Sequence, residues 1–135
     1  MEQFYINHWA VLVCALSNLA LGALWYSPLL FYKPWMQANN FTEDDIKKVN
    51  PIKTYGITVI LSVIISYNLA FFLGDSKTDA AWGTTAGFLA GFGFSALIFT
   101  VISLFEQRSL KYVLINGGYI TVYFTLIGFI LGIWR

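Results

Sequence analysis

The side chains with the widest chemical range in this sequence lie near the ends of its apolar runs. They are aromatic, charged and amide residues, namely Trp25, Tyr26, Lys33, Glu106, Arg108, Asn116 and Tyr119. Arginine and lysine bind anionic headgroups, aromatic rings pack beside the acyl region, and amides and phenols supply uncharged hydrogen bonds. We expect these residues to meet at one end of the protein as a ligand- or headgroup-binding site, with Glu106 holding Arg108 in place. In the alternative interpretation, the same contacts only clamp the helix ends together.

Polar groups at mid-depth of the apolar runs are amides and hydroxyls, and none carries a charge. They are Asn18, Ser62, Ser66, Ser95, Thr121 and Thr125. An unpaired amide in hydrocarbon is costly, so we expect Asn18 to hydrogen-bond a neighbouring helix, with ligand contact as the alternative. The sequence shows no Ser–His–Asp or Cys–His set and no spacing typical of metal ligands. We therefore predict no enzyme activity, no metal site and no cofactor.

Four uncharged runs must position these groups. They extend over about 9–30, 54–73, 80–105 and 112–134, and a helix needs roughly 20 residues to cross the hydrocarbon of a bilayer. Hydrophobic residues make up 58% of the chain and charged residues 11%, against roughly 25% charged residues in a soluble domain. The sequence predicts an all-α fold, an integral membrane four-helix bundle that forms a single transmembrane domain over residues 1–135. The first run lacks the basic segment that precedes a cleaved signal peptide, so we expect it to be retained.

The loop between the first and second runs contains signals for a hinge and a short helix. Pro28 and Pro34 should stop or bend the first helix where the charges begin. Thr42, followed by three acidic residues, is typical of a helix start, and Asn50-Pro51 is expected to end that helix. We predict a short amphipathic helix at the membrane interface in this first cytoplasmic loop.

Small residues recur at a spacing of four along several runs. The residues that we expect to pack helix against helix are Gly22, Gly83, Gly87, Gly91, Ser95, Gly128 and Gly132. Such a stripe lets another helix backbone approach closely. The chain has more small-residue faces than a four-helix core requires, which makes a homo-oligomer plausible.

Lysine and arginine are distributed unequally between the two sides of the predicted membrane domain. The loops after the first and third spans hold Lys33, Lys47, Lys48, Lys53, Arg108 and Lys111, whereas the opposite side holds Lys77 and Arg135. Cytoplasmic loops are enriched in these residues, so we expect both termini to lie outside. A net charge of +1 gives no reason to expect a nucleic-acid partner.

The segment 21–31, Leu-Gly-Ala-Leu-Trp-Tyr-Ser-Pro-Leu-Leu-Phe, resembles the signature of a bacterial family known as domain of unknown function 1761. Further similarity lies in Ala10–Val13, Lys33 and Trp35, Thr42-Glu43, Asn50-Pro51, Glu106 with Arg108, and Asn116 with Gly118-Tyr119. The resemblance covers nearly the whole chain. It implies a small four-span protein of the bacterial cytoplasmic (inner) membrane, and it carries no activity with it.

Two functional classes remain open. The leading hypothesis is a non-enzymatic membrane module that acts through helix packing or binds a lipid or small apolar molecule, with membrane lipids as its partners. The alternative is a small oligomeric transporter or channel in which Asn18 and the mid-depth hydroxyls line a weakly polar path. An enzyme ranks third because Glu106, the candidate acid, has no evident partner base or metal.

Overall fold

The computed structural model describes residues 4–135, and every regular element in that range is a helix. The elements are α1 (His8–Trp25), α2 (Tyr32–Asn39), α3 (Glu43–Lys47), α4 (Pro51–Phe72), α5 (Ala80–Phe88), a π-helix (Leu89–Ala96), α6 (Leu97–Phe105) and α7 (Leu110–Ile133). The π-helix joins α5 and α6 into one long helix, Ala80–Phe105. This helix, α1, α4 and α7 are long and apolar enough to cross a membrane, which confirms the predicted four-helix membrane bundle.

The middle of the bundle is formed by α1 and α7. Helix α7 packs against α5, the π-helix and α6 as well as against α1, and α1 packs against α4. The buried core, which includes Val11, Cys14, Leu73 and Ile127, lies toward one end of α1, α4 and α7. We call this the termini end, because Tyr5 and Arg135 both contact the end of α4 there. The opposite α2 end holds α2, α3, the start of α4 and the α6–α7 turn. Its half of the interface between α1 and α4 is less tightly packed, since no residue of 16–25 or 51–61 is buried.

The closest helix contact joins α5 to α7 along the predicted glycine ridge. A Cβ atom added at Gly87 would collide with the carbonyl oxygen of Phe124 on α7. A Cβ atom added at Gly128 would lie 2.9 Å from the Gly87 Cα, and one at Gly132 would lie 2.5 Å from the Asp79 carbonyl oxygen. The two backbones approach each other this closely only because glycines line both sides, as the spacing of four predicts.

The π-helix changes which face of the long helix points inward. Gly91 is buried, but the next buried residue is Ala96, whereas Ser95 is only half-buried. A Cβ atom at Gly117 of α7 would lie 4.0 Å from the Ala96 Cβ. Hydrogen bonds in a π-helix span five residues, so the segment adds one residue to the turn and moves the inward position from the predicted Ser95 to Ala96.

Helix α1 ends at Trp25, before Pro28 and earlier than the apolar run, which continues to Leu30. Helix α2 differs from the sequence prediction, which treats Pro34 as a helix breaker. Pro34 instead occupies the first turn of α2, where a backbone N–H has no intrahelical acceptor to lose.

The short helix predicted from Thr42 is present as α3. The Thr42 hydroxyl accepts from the Asp45 backbone N–H, and the Asp45 carboxylate accepts from the Thr42 N–H at 2.8 Å, forming a capping box. The prediction that Asn50-Pro51 ends this helix is wrong. Asn50 caps the N-terminus of α4 and Pro51 is its first residue, a position that proline favours because its fixed φ is already helical.

Candidate functional site

A groove of about 780 Å³ lies between the last two turns of α1 and the first turns of α4. We call it the α1–α4 groove, and its lining residues are Asn18, Leu19, Gly22, Ala23, Tyr26, Trp35, Thr54, Tyr55, Thr58 and Tyr119. Tyr119 is contributed by α7 and Trp35 by α2. The volume falls in the range of about 300–1,000 Å³ that is typical of small-molecule sites. The groove lies in the less tightly packed half of the bundle, at the α2 end.

Asn18 is the hydrogen-bonding centre of the groove wall. Its side-chain Nδ2 donates to the Ser62 Oγ on α4 at 2.7 Å, and the buried Ser62 hydroxyl donates to the Thr58 carbonyl oxygen at 2.6 Å. The Tyr119 hydroxyl donates to the Asn18 carbonyl oxygen at 3.0 Å and also contacts the Asn18 Oδ1. The interhelical hydrogen bonds predicted for Asn18 are therefore present, and they join α1, α4 and α7.

Tyr26, the C-cap residue of α1, forms the next part of the wall. Its hydroxyl donates to the Asn116 Oδ1 at 2.6 Å, and the Asn116 Nδ2 donates to the Tyr112 carbonyl oxygen at 3.1 Å. The Tyr26 ring lies 5.5 Å from the Tyr119 ring and 5.4 Å from the Trp35 ring, measured between centroids. Tyr26 thus connects the lining contributed by α7 to the lining contributed by α2.

Trp25 lies beside this site and holds the end of α1 against α7. Its indole Nε1 donates to the Ile115 carbonyl oxygen at 2.9 Å, and its ring lies 4.8 Å from the Phe31 ring. A Cβ atom at Gly118 would lie 3.1 Å from the Trp25 ring, so the missing side chain makes room for the indole. Trp25 positions the groove wall without lining the groove.

The charged residues of the predicted site lie apart from the groove. The half-buried Arg108 donates to the Asn39 Oδ1 at 2.6 Å, and its guanidinium carbon lies 3.8 Å from the centre of the Tyr112 ring. The predicted pairing of Glu106 with Arg108 is wrong. Gln107, between them, has a left-handed backbone with φ of 59°, and the chain reverses there so that Arg108 extends toward α2. Glu106 and Lys33 are exposed.

Helix α2 is the part of the site that sequence reasoning missed. Tyr32, Trp35, Met36 and Asn39 follow the helical spacing i, i+3, i+4, i+7, and all are half-buried. This pattern was the available signal. The groove residues Thr54, Tyr55 and Thr58 were also missed as lining residues, because their position depends on α4 beginning at Pro51.

The site has no arrangement that would hold a metal ion. Residues 4–135 contain no group of three or more His, Cys, Asp or Glu side chains placed to bind one. The lining of the α1–α4 groove consists of apolar, hydroxyl and amide side chains. Its chemistry is therefore that of hydrogen bonding and apolar contact.

Comparison with protein families gives one match. A family model described as "Protein of unknown function (DUF1761)" matches residues 9–132. No curated protein matches the chain. No solved structure matches it either.

Proposed function

The chain belongs to the DUF1761 family, and we propose that it is a membrane protein that binds a lipid or another small apolar molecule in the α1–α4 groove. The observation that carries the proposal is the groove itself, with a volume of about 780 Å³ between apolar membrane-crossing helices. Ligand sites are concave and mostly apolar, with a few polar groups that fix orientation. Asn18, Tyr26 and Tyr119 are such groups here.

We also propose that the α2 end faces the cytoplasm of a bacterial inner membrane. Most lysines and arginines lie at this end, whereas Lys77 and Arg135 lie at the termini end. Because short cytoplasmic loops carry the excess of these residues, the groove then opens in the inner half of the bilayer.

Filling the groove tests the binding proposal. Ala20 and Ala23 are both exposed residues of α1, but only Ala23 lines the groove. We expect Ala23→Phe to lose lipid that co-purifies with the wild-type protein in native mass spectrometry, and Ala20→Phe to retain it. Equal retention by both variants, with both folded, would contradict binding in this groove.

A small oligomeric transporter is the second candidate. The observation that favours it is a pair of hydrogen-bonded polar sets. One is formed by Ser62, Asn18 and Tyr119 at mid-depth and the other by Tyr26 and Asn116 at the α2 end, and the rings of Tyr119 and Tyr26 are in contact between them. Solute flux into proteoliposomes separates the two functions. Flux that Asn18→Leu abolishes without loss of assembly would favour transport over binding.

A further inference from the structure

We propose that the ligand of the α1–α4 groove is an uncharged lipid alcohol whose hydroxyl donates a hydrogen bond to the phenol oxygen of Tyr119. This inference rests on the proposed binding function and specifies its ligand class. Three features of the groove support it: the absence of charge in its lining, the hydrogen-bond donors and acceptors of its wall, and the access that Gly22 gives to Tyr119.

The groove offers no charge to a headgroup. None of its lining residues is acidic or basic. Arg108 is bound to Asn39 and stacked on Tyr112, and Lys33 is exposed on α2. A phosphate or carboxylate drawn into the groove would lose water without gaining a cation, which is costly. A neutral headgroup avoids that cost.

The lysines near the α1–α4 groove line a second, neighbouring groove. This second groove, which shares Thr54 and Thr58 with the first, is lined by Lys48 and Lys53. Lys48 lies 3.9 Å from the Asp45 carboxylate and its side chain is 79% exposed. An anionic lipid would have to place its headgroup in this second groove, outside the α1–α4 groove. The experiment must exclude this competing arrangement.

Three hydroxyls of the groove wall already donate hydrogen bonds inside the protein. The Tyr119 hydroxyl donates to Asn18, the Tyr26 hydroxyl donates to Asn116, and the Thr58 hydroxyl donates to the Thr54 carbonyl oxygen at 2.7 Å. Each of these hydroxyl oxygens keeps a lone pair that can accept. This part of the wall therefore complements a ligand that donates a hydrogen bond.

Gly22 leaves the Tyr119 oxygen accessible from α1. A Cβ atom at Gly22 would lie 3.4 Å from the Tyr119 hydroxyl oxygen, so a larger side chain at this position would cover it. Leu19 and Ala23 supply apolar lining on the same helix, where a hydrocarbon chain can pack. A single hydroxyl on a long apolar chain matches this combination.

Three single-chain probes with the same hydrocarbon test the ligand class: cetyl alcohol, its methyl ether and cetyl phosphate. The alcohol donates and accepts, the ether only accepts, and the phosphate is anionic. We expect the purified wild-type protein in detergent to bind the alcohol about fivefold more tightly than the ether, the ratio of one net hydrogen bond. We expect the phosphate to bind at least tenfold more weakly than the alcohol.

The variants locate the hydrogen bond. Tyr119→Phe removes the accepting oxygen and should bring the alcohol and the ether to nearly equal affinity. Tyr5→Phe, which changes an exposed phenol outside the groove, should preserve the preference. Two results would contradict the assignment to a lipid alcohol. One is that the wild type binds the alcohol and the ether equally. The other is that it binds cetyl phosphate more tightly than the alcohol and that Lys53→Ala weakens this binding.

The wild-type panel also separates this inference from the proposed function. If all three probes bind equally and Ala23→Phe excludes them, the groove binds apolar molecules and only the assignment to an alcohol is wrong. If the folded wild type binds none of the three probes, both proposals are wrong.

Discussion

Tyr119 on α7 donates its hydroxyl to the backbone carbonyl oxygen of Asn18 on α1, at 3.0 Å, and also contacts the Asn18 side-chain oxygen. The same Asn18 side chain donates to Ser62 on α4. One amide thus holds three of the membrane-crossing helices at mid-depth, beside the groove. In hydrocarbon no water is available to replace these partners, so the amide fixes how the three helices face each other.

The first prediction concerns the stability that Asn18 contributes. Asn18→Leu keeps the branching and the number of heavy atoms of the side chain but removes the hydrogen bonds that the amide makes with Ser62 and Tyr119. We expect it to lower the free energy of unfolding by about 1 kcal/mol. Thermal unfolding in detergent, followed by circular dichroism, measures the change. Asn68→Leu is the matched control, since Asn68 is exposed on α4, and it should unfold at the wild-type temperature. Equal effects of the two variants would contradict the role of Asn18.

The second prediction concerns the contact between α5 and α7. Gly87→Ala forces a methyl group against the Phe124 carbonyl oxygen, and overpacking of this kind costs about 1–3 kcal/mol. We expect a clear fall in melting temperature. Gly56→Ala provides the control, because a Cβ atom there meets nothing within 4 Å, and alanine should slightly stabilise α4. A Gly87→Ala variant as stable as wild type would show that the two helices do not pack as described.

The third prediction distinguishes a clamp from a headgroup site at Arg108. Arg108→Ala loses the bond to Asn39 and the contact with the Tyr112 ring, so we expect α2 to exchange its amide hydrogens faster and the melting temperature to fall. Retention of a neutral lipid should not change. Glu106→Ala, at an exposed residue of the same turn, should match wild type in both measurements. Loss of bound lipid in Arg108→Ala with an unchanged melting temperature would instead favour a headgroup site.

Sequence reasoning succeeded where a physical constraint is local or periodic. The uncharged runs predict the membrane-crossing helices because the length of hydrocarbon to be crossed is fixed. The glycine spacing predicts that Gly87 and Gly128 lie at close helix contacts, but not that they contact each other. Asn18 could be placed in the interior because an unpaired amide is costly there. Its particular partners could not be named from the sequence.

The remaining features depend on how helices sit against one another. The groove exists because the buried residues of α1 and α4 are concentrated near Val11 and Leu73. Hydropathy could not predict it, because the hydropathy of a helix does not show how tightly each part of it packs against a neighbour. Arg108 and Glu106 do not pair because Gln107, between them, has a left-handed backbone conformation. The residue type of Gln107 does not suggest this conformation. The π-helix moves the inward-facing position from Ser95 to Ala96. This change could not be predicted either, because the small residues in the sequence keep a constant spacing of four.

The fourth prediction concerns acid stability at the termini end. The Asp75 carboxylate accepts from the Lys77 backbone N–H at 2.8 Å and from the Thr78 hydroxyl at 3.1 Å, and these bonds, led by the first, hold the Asp75 pKa below its usual range. The stability that these hydrogen bonds contribute is therefore fully present at a pH above the ordinary aspartate pKa near 4. It is lost as the pH falls through the lower pKa that Asp75 has in the folded protein.

We expect the melting temperature of the wild type to fall between about pH 5 and pH 2. Asp75→Asn, which cannot titrate, should show a shallower fall. Ser76→Ala, at an exposed residue of the same loop, removes no titrating group and should follow the wild-type curve. Identical pH dependence in Asp75→Asn and wild type would contradict a contribution from this carboxylate.

The last prediction concerns orientation in the membrane. Lys47 lies on α3 at the α2 end, and Lys77 lies in the loop between α4 and α5 at the termini end. The single native cysteine, Cys14, is fully buried, so an introduced cysteine gives the labelling signal. In the proposed orientation the α2 end, which holds the excess of lysine and arginine, faces the cytoplasm. A membrane-impermeant maleimide added to intact cells should then label Lys77→Cys and should label Lys47→Cys only after the cells are lysed. Labelling of Lys47→Cys in intact cells would reverse the orientation and would place the α1–α4 groove in the outer half of the bilayer.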